Sequence, residues 1–155
     1  MKCKIKDIQI LELKLYSDQR GWLSEFFRQD ELDKSVRPQM GYISQTEPGM
    51  SRGPHEHREQ TDIFVFLGLS EFELYIWDNR PESDTFQHKE VFKIPKQKLV
   101  RVIIPPGVVH GYKNIGCNQG IIVNTPNRIY KSEGRHGEVD EIRYEQKPDS
   151  PFKIE

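Results

Sequence analysis

Apolar positions along the 155-residue chain fall in short runs and in none of the long stripes that helices need. In KIKDIQILELKLYSD, residues 4–18, Ile5, Ile8 and Ile10 are followed by Leu11, Leu13 and Leu15. The leucines alternate with polar residues as a half-buried strand requires. The parity changes between Ile10 and Leu11, which predicts a bulge or a register break there. TDIFVFLG, residues 61–68, is a continuous apolar run of strand length. EFELYIWD, residues 71–78, sets Phe72, Leu74 and Ile76 against Glu71, Glu73 and Tyr75. KLVRVIIPPG (98–107) and GIIVNT (120–125) add two strands bounded by Gly and Pro. Only RQDELDKSV, residues 28–36, reads as helical, with Asp30 as its cap and Pro38 limiting it to one or two turns. The expected class is all-β: antiparallel strands in a sandwich or small open barrel, with one short helix.

The length fits one domain over residues 1–155. Lys and Arg number 23 against 24 Asp and Glu, a net charge of −1, so no basic excess points to nucleic acid. The start of the chain, MKCKIKDIQILELKL, has no unbroken apolar core of a signal peptide. No stretch approaches the roughly 20 apolar residues of a membrane span. Cys3 and Cys117 are too few and too far apart for a disulfide framework or a zinc knuckle. They read as free thiols, as in a reducing cytoplasm, and a cytoplasmic location is expected.

Three stretches carry chemistry: SDQRGWLSEFF (17–27), GYISQTEPGMSRGPHEH (41–57) and VIIPPGVVHGYKN (102–114). With DNRPESDTF (78–86) and NRIYKSEG (127–134), they occur in the order seen in the dTDP-4-dehydrorhamnose 3,5-epimerase family, which this chain resembles over roughly residues 8–145. Asp18, Arg20, Gly21 and Glu25 match its D-x-R-G-x-F-x-E stretch. Ser44 and Thr46 match its Ser-x-Ser strand, and Arg52 and His55 its R-G-x-H. Asp78, Arg80, the PPGVVHGY turn and Tyr130 match its later motifs.

The resemblance implies a cupin jelly roll, no cofactor, a homodimer and an enzyme of polysaccharide biosynthesis. Its substrate would be a nucleotide-linked 4-keto-6-deoxy sugar, as on the dTDP-rhamnose route. The 4-keto group acidifies the C3 and C5 hydrogens, because the carbanion is an enolate. His55 would be the base, its type suited by an unperturbed pKa of ~6.5, and Tyr130 the acid on the opposite face. Arg20, Glu25, Ser44, Arg52, His57 and His110 would bind substrate, the arginines through bidentate phosphate contacts. The N-terminal strand, residues 5–15, is expected to add to a partner's sheet, since a free edge is a liability. Trp77 is expected in the core or at a dimer contact, and His88 and His136 on the surface.

Three departures stand out. Thr61 occupies the place of the family's lysine, and His57 that of its glutamine two after the base. The tail GRHGEVDEIRYEQK reads as solvated, and Asp149 is the only late candidate for the aspartate that orients the base. The same residues admit other readings. His55, His57, Asp62 and His110 fit the H-x-H…acid…H ligand pattern of metal cupins, which suits Fe, Mn, Ni or Zn. Against it, Asp62 stands where Glu is usual, and Gly68 falls one residue early. RGPHEH also resembles the sugar-nucleotide 3,4-ketoisomerases, and a non-catalytic sugar-nucleotide-binding protein remains the third alternative.

Overall fold

The computed structural model describes residues 2–155 and, for 132 and 133, the backbone alone. Twelve short strands run β1 (Gln9–Glu12), β2 (Tyr16–Asp18), β3 (Gly21–Leu23), β4 (Tyr42–Thr46), β5 (Ser51–Glu56) and β6 (Asp62–Phe66). They continue as β7 (Phe72–Asp78), β8 (Lys89–Ile94), β9 (Val100–Ile104), β10 (Val108–Asn114), β11 (Gly120–Asn124) and β12 (Ile142–Arg143). Two five-stranded antiparallel sheets form, ordered β1-β9-β6-β11-β4 and β12-β5-β10-β7-β8, while β2 and β3 pair only with each other. The fold is a jelly-roll barrel of the cupin type. Its interior is a single cluster: Phe64, Phe66, Val102 and Ile104 from one sheet meet Phe72, Leu74, Ile76 and Val108 from the other.

The continuous apolar run of β6 follows from burial on both faces. Phe64 and Phe66 point into the barrel. Val65 packs outside with Leu13, Leu99 and Phe26, and Ile63 packs outside with Leu32, Ile103 and Phe27. The segment after β3 is therefore a cover for the first sheet. Its predicted helix shrinks to a 3₁₀ turn at Lys34–Val36, capped by Asp33, whose carboxylate accepts from the Ser35 amide at 2.8 Å. Asp30 does not cap it; its carboxylate accepts from Arg28 at 2.7 Å instead. One further helical turn occurs at Ser132–Arg135.

The expected strand 5–15 is shorter. Only Gln9–Glu12 pair, and they pair with β9 of the same chain in continuous register, Ile10 opposite Val102 and Leu11 opposite Arg101. No bulge separates Ile10 from Leu11. The parity change has another cause: Ile10 faces the barrel interior, whereas Leu13 faces the outer cluster.

The tail is solvated only in part: residues 134–136 and 145–147 are exposed, while 139–142 and Tyr144 are partly buried. Tyr144, Phe152 and Ile154 cover Tyr75, Trp77 and Val109 on the outer face of the second sheet. Tyr144 donates its hydroxyl to Glu56 at 2.6 Å, pinning the tail to the back of β5. Trp77 is thus core, stacked on Tyr75 at 5.9 Å and edge-on to Phe152.

Asp78, 1% exposed, closes the far end of β7. Its carboxylate accepts from Arg80 Nε at 2.8 Å and Nη2 at 2.9 Å, and from the Ser83 and Thr85 hydroxyls at 2.6 Å each. Arg80 reaches on to Asp7 at 2.9 Å, tying down the N-terminal segment. Burial raises the Asp78 pKa, but these donors outweigh it and hold it below the ordinary carboxylate range. A depressed carboxylate stabilises the fold above its unfolded pKa of ~3.9, and that stabilisation is lost as pH falls through the folded value. Asp78→Asn is expected to cost about 2–4 kcal/mol at pH 7, read by denaturant unfolding, because it strands Arg80 and two hydroxyls. The difference from wild type should shrink below pH ~4.

Candidate active site

The site is built at one end of the barrel by an irregularity in β5. His110 pairs with His55, yet Tyr112 pairs with Arg52, so three steps on β5 match two on β10. This extra residue is a β-bulge. Gly53 makes it possible: its φ is +80°, and a Cβ there would lie 2.7 Å from the His110 carbonyl oxygen. In a regular strand, residues three apart point to opposite faces. The bulge turns both Arg52 and His55 to the same cavity.

Opposite them, β6 starts with Asp62, which is 1% exposed. Its Oδ1 accepts from the side-chain amides of Gln60 and Asn124, each at 2.9 Å. Its Oδ2 lies 3.2 Å from His57 Nε2 and 3.1 Å from His110 Nε2. The rings of His55 and His110 stand edge to face, centroids 4.5 Å apart, and those of His55 and His57 are 5.5 Å apart. Phe64 meets His110 from beneath at 5.5 Å and Tyr112 at 6.0 Å, so the floor is aromatic. A ligand atom from each of His55, His57, Asp62 and His110 falls within 4.8 Å of the others.

Burial treats the two histidines of RGPHEH differently. Burial holds His55 well below the ordinary imidazole value, and the neighbouring His110 adds to the effect. His55 is accordingly neutral at pH 7, with Glu141 3.9 Å from its Nδ1. Burial also works to lower His57, but the hydrogen bond and charge of Asp62 override it and raise the pKa to about 9. Asp62 is pulled up by burial and down, more strongly, by the bonds from His110 and His57. It is an ionised carboxylate.

The cavity above has a volume of about 1060 Å³, ample for a nucleotide sugar. Ser44, Arg52, His55, His57 and Tyr130 line it, while His110 is 2% exposed beneath. The Ser44 hydroxyl is 3.2 Å from that of Tyr112. Arg52 donates to the Gln45 carbonyl at 2.9 Å and to Thr46 at 3.3 Å. Arg20 and Glu25 do not line this cavity. Arg20 is bonded to Asp18 beside the isolated β2–β3 hairpin, and Glu25 lies 3.5 Å from Arg28. Among the described residues that hairpin pairs with no other strand.

Sequence reasoning missed one wall of the cavity. Val139, Asp140, Glu141 and Arg143 line it, and β12 pairs Arg143 with His55. The Asp140 carboxylate accepts from the amides of Arg58, Glu59 and Gln60 at 2.8–2.9 Å, while its carbonyl meets His57 Nδ1. Asp149 is exposed and outside the cavity, so no tail aspartate touches His55. The available signal was the polar-apolar switch at DEIRY, too short to read as a strand.

A jelly roll with histidines from adjoining strands grouped at an open, cation-rimmed end defines a cupin with a small-molecule site. A model of the dTDP-4-dehydrorhamnose 3,5-epimerase family matches residues 2–140, and the chain belongs to that family of isomerases. It is 35% identical over 130 residues to the probable low-salt glycan biosynthesis epimerase Agl13 of Haloferax volcanii, covering 83% of each chain. Identity to the spore coat polysaccharide biosynthesis protein SpsL of Bacillus subtilis is 29% over 114 residues, 72% of this chain and 73% of that one. The solved dTDP-6-deoxy-D-glucose-3,5-epimerase of Legionella pneumophila, in complex with dTDP-4-keto-L-rhamnose, superposes with a TM-score of 0.77. That match has 21% identity and covers 92% of this chain and 75% of the other.

The His57–Asp62 pair has a measurable signature. In an NMR titration His57 should change charge at about 9, and in Asp62→Asn at or below ~6.5. A raised histidine pKa stabilises the fold fully below the unfolded value of ~6.5, and this is lost as pH rises through about 9. Wild type should therefore lose part of its stability over that window, and the variant should not.

Proposed function

We propose that this chain epimerises a nucleotide-linked 4-keto-6-deoxy sugar at C3, C5 or both, with His55 as the base and Tyr130 as the acid. The observation that carries the reading is a neutral, half-buried His55 facing the same cavity as Tyr130. A neutral imidazole has a free lone pair at pH 7 and can take a proton from carbon next to a carbonyl. Returning a proton to the other face needs a donor on another wall. Tyr130 stands on the segment after β11, a strand of the sheet opposite the one that holds β5 and His55.

The enolate oxygen needs a positive neighbour, and Thr61 cannot supply one. His57 can. It is the imidazolium held by Asp62, and its ring is 5.5 Å from that of His55. Arg52, Arg128, Lys131 and Arg143 line the same cavity and suit a diphosphate.

Two coarser features complete the reading. The working unit is a homodimer, in which Arg20 and Glu25, outside this cavity, would meet the substrate of another copy of the chain. The exposed Tyr16, Trp22 and Leu23 on that hairpin favour such a contact. The two cysteines are unpaired thiols, which agrees with a cytoplasmic site of action.

Solvent-deuterium uptake into dTDP- and CDP-linked 4-keto sugars tests the reading. His55→Ala should lower exchange by about 10²–10⁴. Tyr130→Phe should leave exchange at the abstracted position while suppressing inversion. His57→Gln should cost about 10²-fold, the scale of losing one oxyanion partner. Chelator-treated protein should keep its exchange rate. Exchange surviving in His55→Ala would remove the base assignment. Sedimentation of a monomer at micromolar concentration would remove the dimer.

A further inference from the structure

The cluster beneath the cavity is arranged as a ligand set as well as a proton-transfer site. His110 Nδ1 lies 3.0 Å from the Val108 carbonyl, and His57 Nδ1 meets the Asp140 carbonyl. A carbonyl oxygen only accepts, so each Nδ1 carries the hydrogen. Each Nε2 is thereby turned toward the same Asp62 Oδ2, at 3.2 and 3.1 Å. Asp62 Oδ1 is already occupied by the amides of Gln60 and Asn124. The Gln60 amide nitrogen also lies 3.1 Å from His57 Nε2. No side chain other than the two imidazoles faces Oδ2 among the described residues.

This is the shell that surrounds metal-bound histidines: the distal ring nitrogen bonded to a backbone carbonyl, the carboxylate ligand held by hydrogen bonds. The spacing agrees. Metal–nitrogen and metal–oxygen bonds of ~2.1 Å put tetrahedral ligand atoms about 3.4 Å apart, close to the two distances observed. His55 supplies the fourth ligand atom within 4.8 Å of the rest.

We propose that His55, His57, Asp62 and His110 bind one first-row transition dication, and that this cation and the sugar substrate exclude each other. Three imidazoles and one carboxylate select Zn²⁺, Co²⁺ or Ni²⁺ over Mg²⁺ and Ca²⁺, which prefer all-oxygen sites. The exclusion, and only the exclusion, rests on His55 being the base: its lone pair can hold a metal or take a proton, not both. The cation is then an inhibitor of the isomerase and not its cofactor.

Titration of the untagged, chelator-stripped full chain with Co²⁺ tests the site without substrate. The expected result is one Co²⁺ per chain, with a visible ligand-field band that Zn²⁺ erases. His57→Gln and Asp62→Asn should each weaken binding by at least about tenfold. Replacing the exposed His88 and His136 by Gln should leave it unchanged. The proposal fails if Co²⁺ does not saturate at one per chain, if His57→Gln binds as tightly as wild type, or if the surface variant loses binding. Deuterium exchange should fall as Zn²⁺ fills the site. Exchange that rises with Zn²⁺ overturns the exclusion and the base role of His55, while the titration independently decides whether the cluster binds metal.

Discussion

The carboxylate of Asp62 is the constraint around which this end of the barrel is organised. An ionised carboxylate that is 1% exposed is tolerable only if every lone pair is answered. The answers come from three other places in the chain: Gln60 and His57 on the β5–β6 connection, His110 on β10 and Asn124 on β11. β11 lies in the same sheet as β6, which carries Asp62, and β10 lies in the other. The charge therefore fixes how the two sheets meet at the mouth, where the aromatic packing below it has given out. Asn124 also passes the order outward, donating to the Tyr42 hydroxyl at 2.9 Å on the edge strand β4.

Rigidity on the outside lets such a site persist. The first sheet is covered by the segment holding Phe26, Phe27 and Leu32, and the second by Tyr144, Phe152 and Ile154. The same tail that covers the second sheet first crosses β5 as β12, where it delivers Asp140 to His57 and Glu141 to His55. Fold and site share one strap. Its anchor, the Tyr144–Glu56 bond on the outer face of β5, lies back to back with His55 and His57 on the inner face.

Strands with one dominant face were legible in the sequence. β7 falls within a residue of the alternating run EFELYIWD, β11 and β9 lie within GIIVNT and KLVRVIIPPG, and β6 lies within its continuous run, because burial of one or both faces leaves a direct mark. The grouping of His55, His57, Asp62 and His110 was legible too, since residues two apart on a strand share a face. Three things were not. Arg20 and Glu25 carry the right pattern, but a pattern does not say whether a hairpin folds back on its own barrel. The helix at 28–36 gave way to packing, as Leu32 turned toward Ile63 and Ile103 at the expense of a regular helix. The tail wall depends on single residues, Asp140 above all, whose role is made by three consecutive backbone amides and so leaves no spacing to read.

His55 and His57 start from the same chemistry and end in different charge states, one neutral and one positive. Both are removed from water, which disfavours the imidazolium in each. Asp62 then decides between them by distance. It is bonded to His57 directly, whereas His55 feels it only across the cluster and beside a second imidazole, His110. One buried carboxylate thus sets a free base and a fixed cation two residues apart. Carbanion chemistry next to a carbonyl needs that combination: a lone pair for the proton and a positive charge for the oxygen. On the function proposed above, the departure of this chain from its family's motif at position 57 is a relocation of charge. The cation that a lysine at position 61 would bring on a flexible stem would then be held on an imidazole by a buried carboxylate with both oxygens engaged.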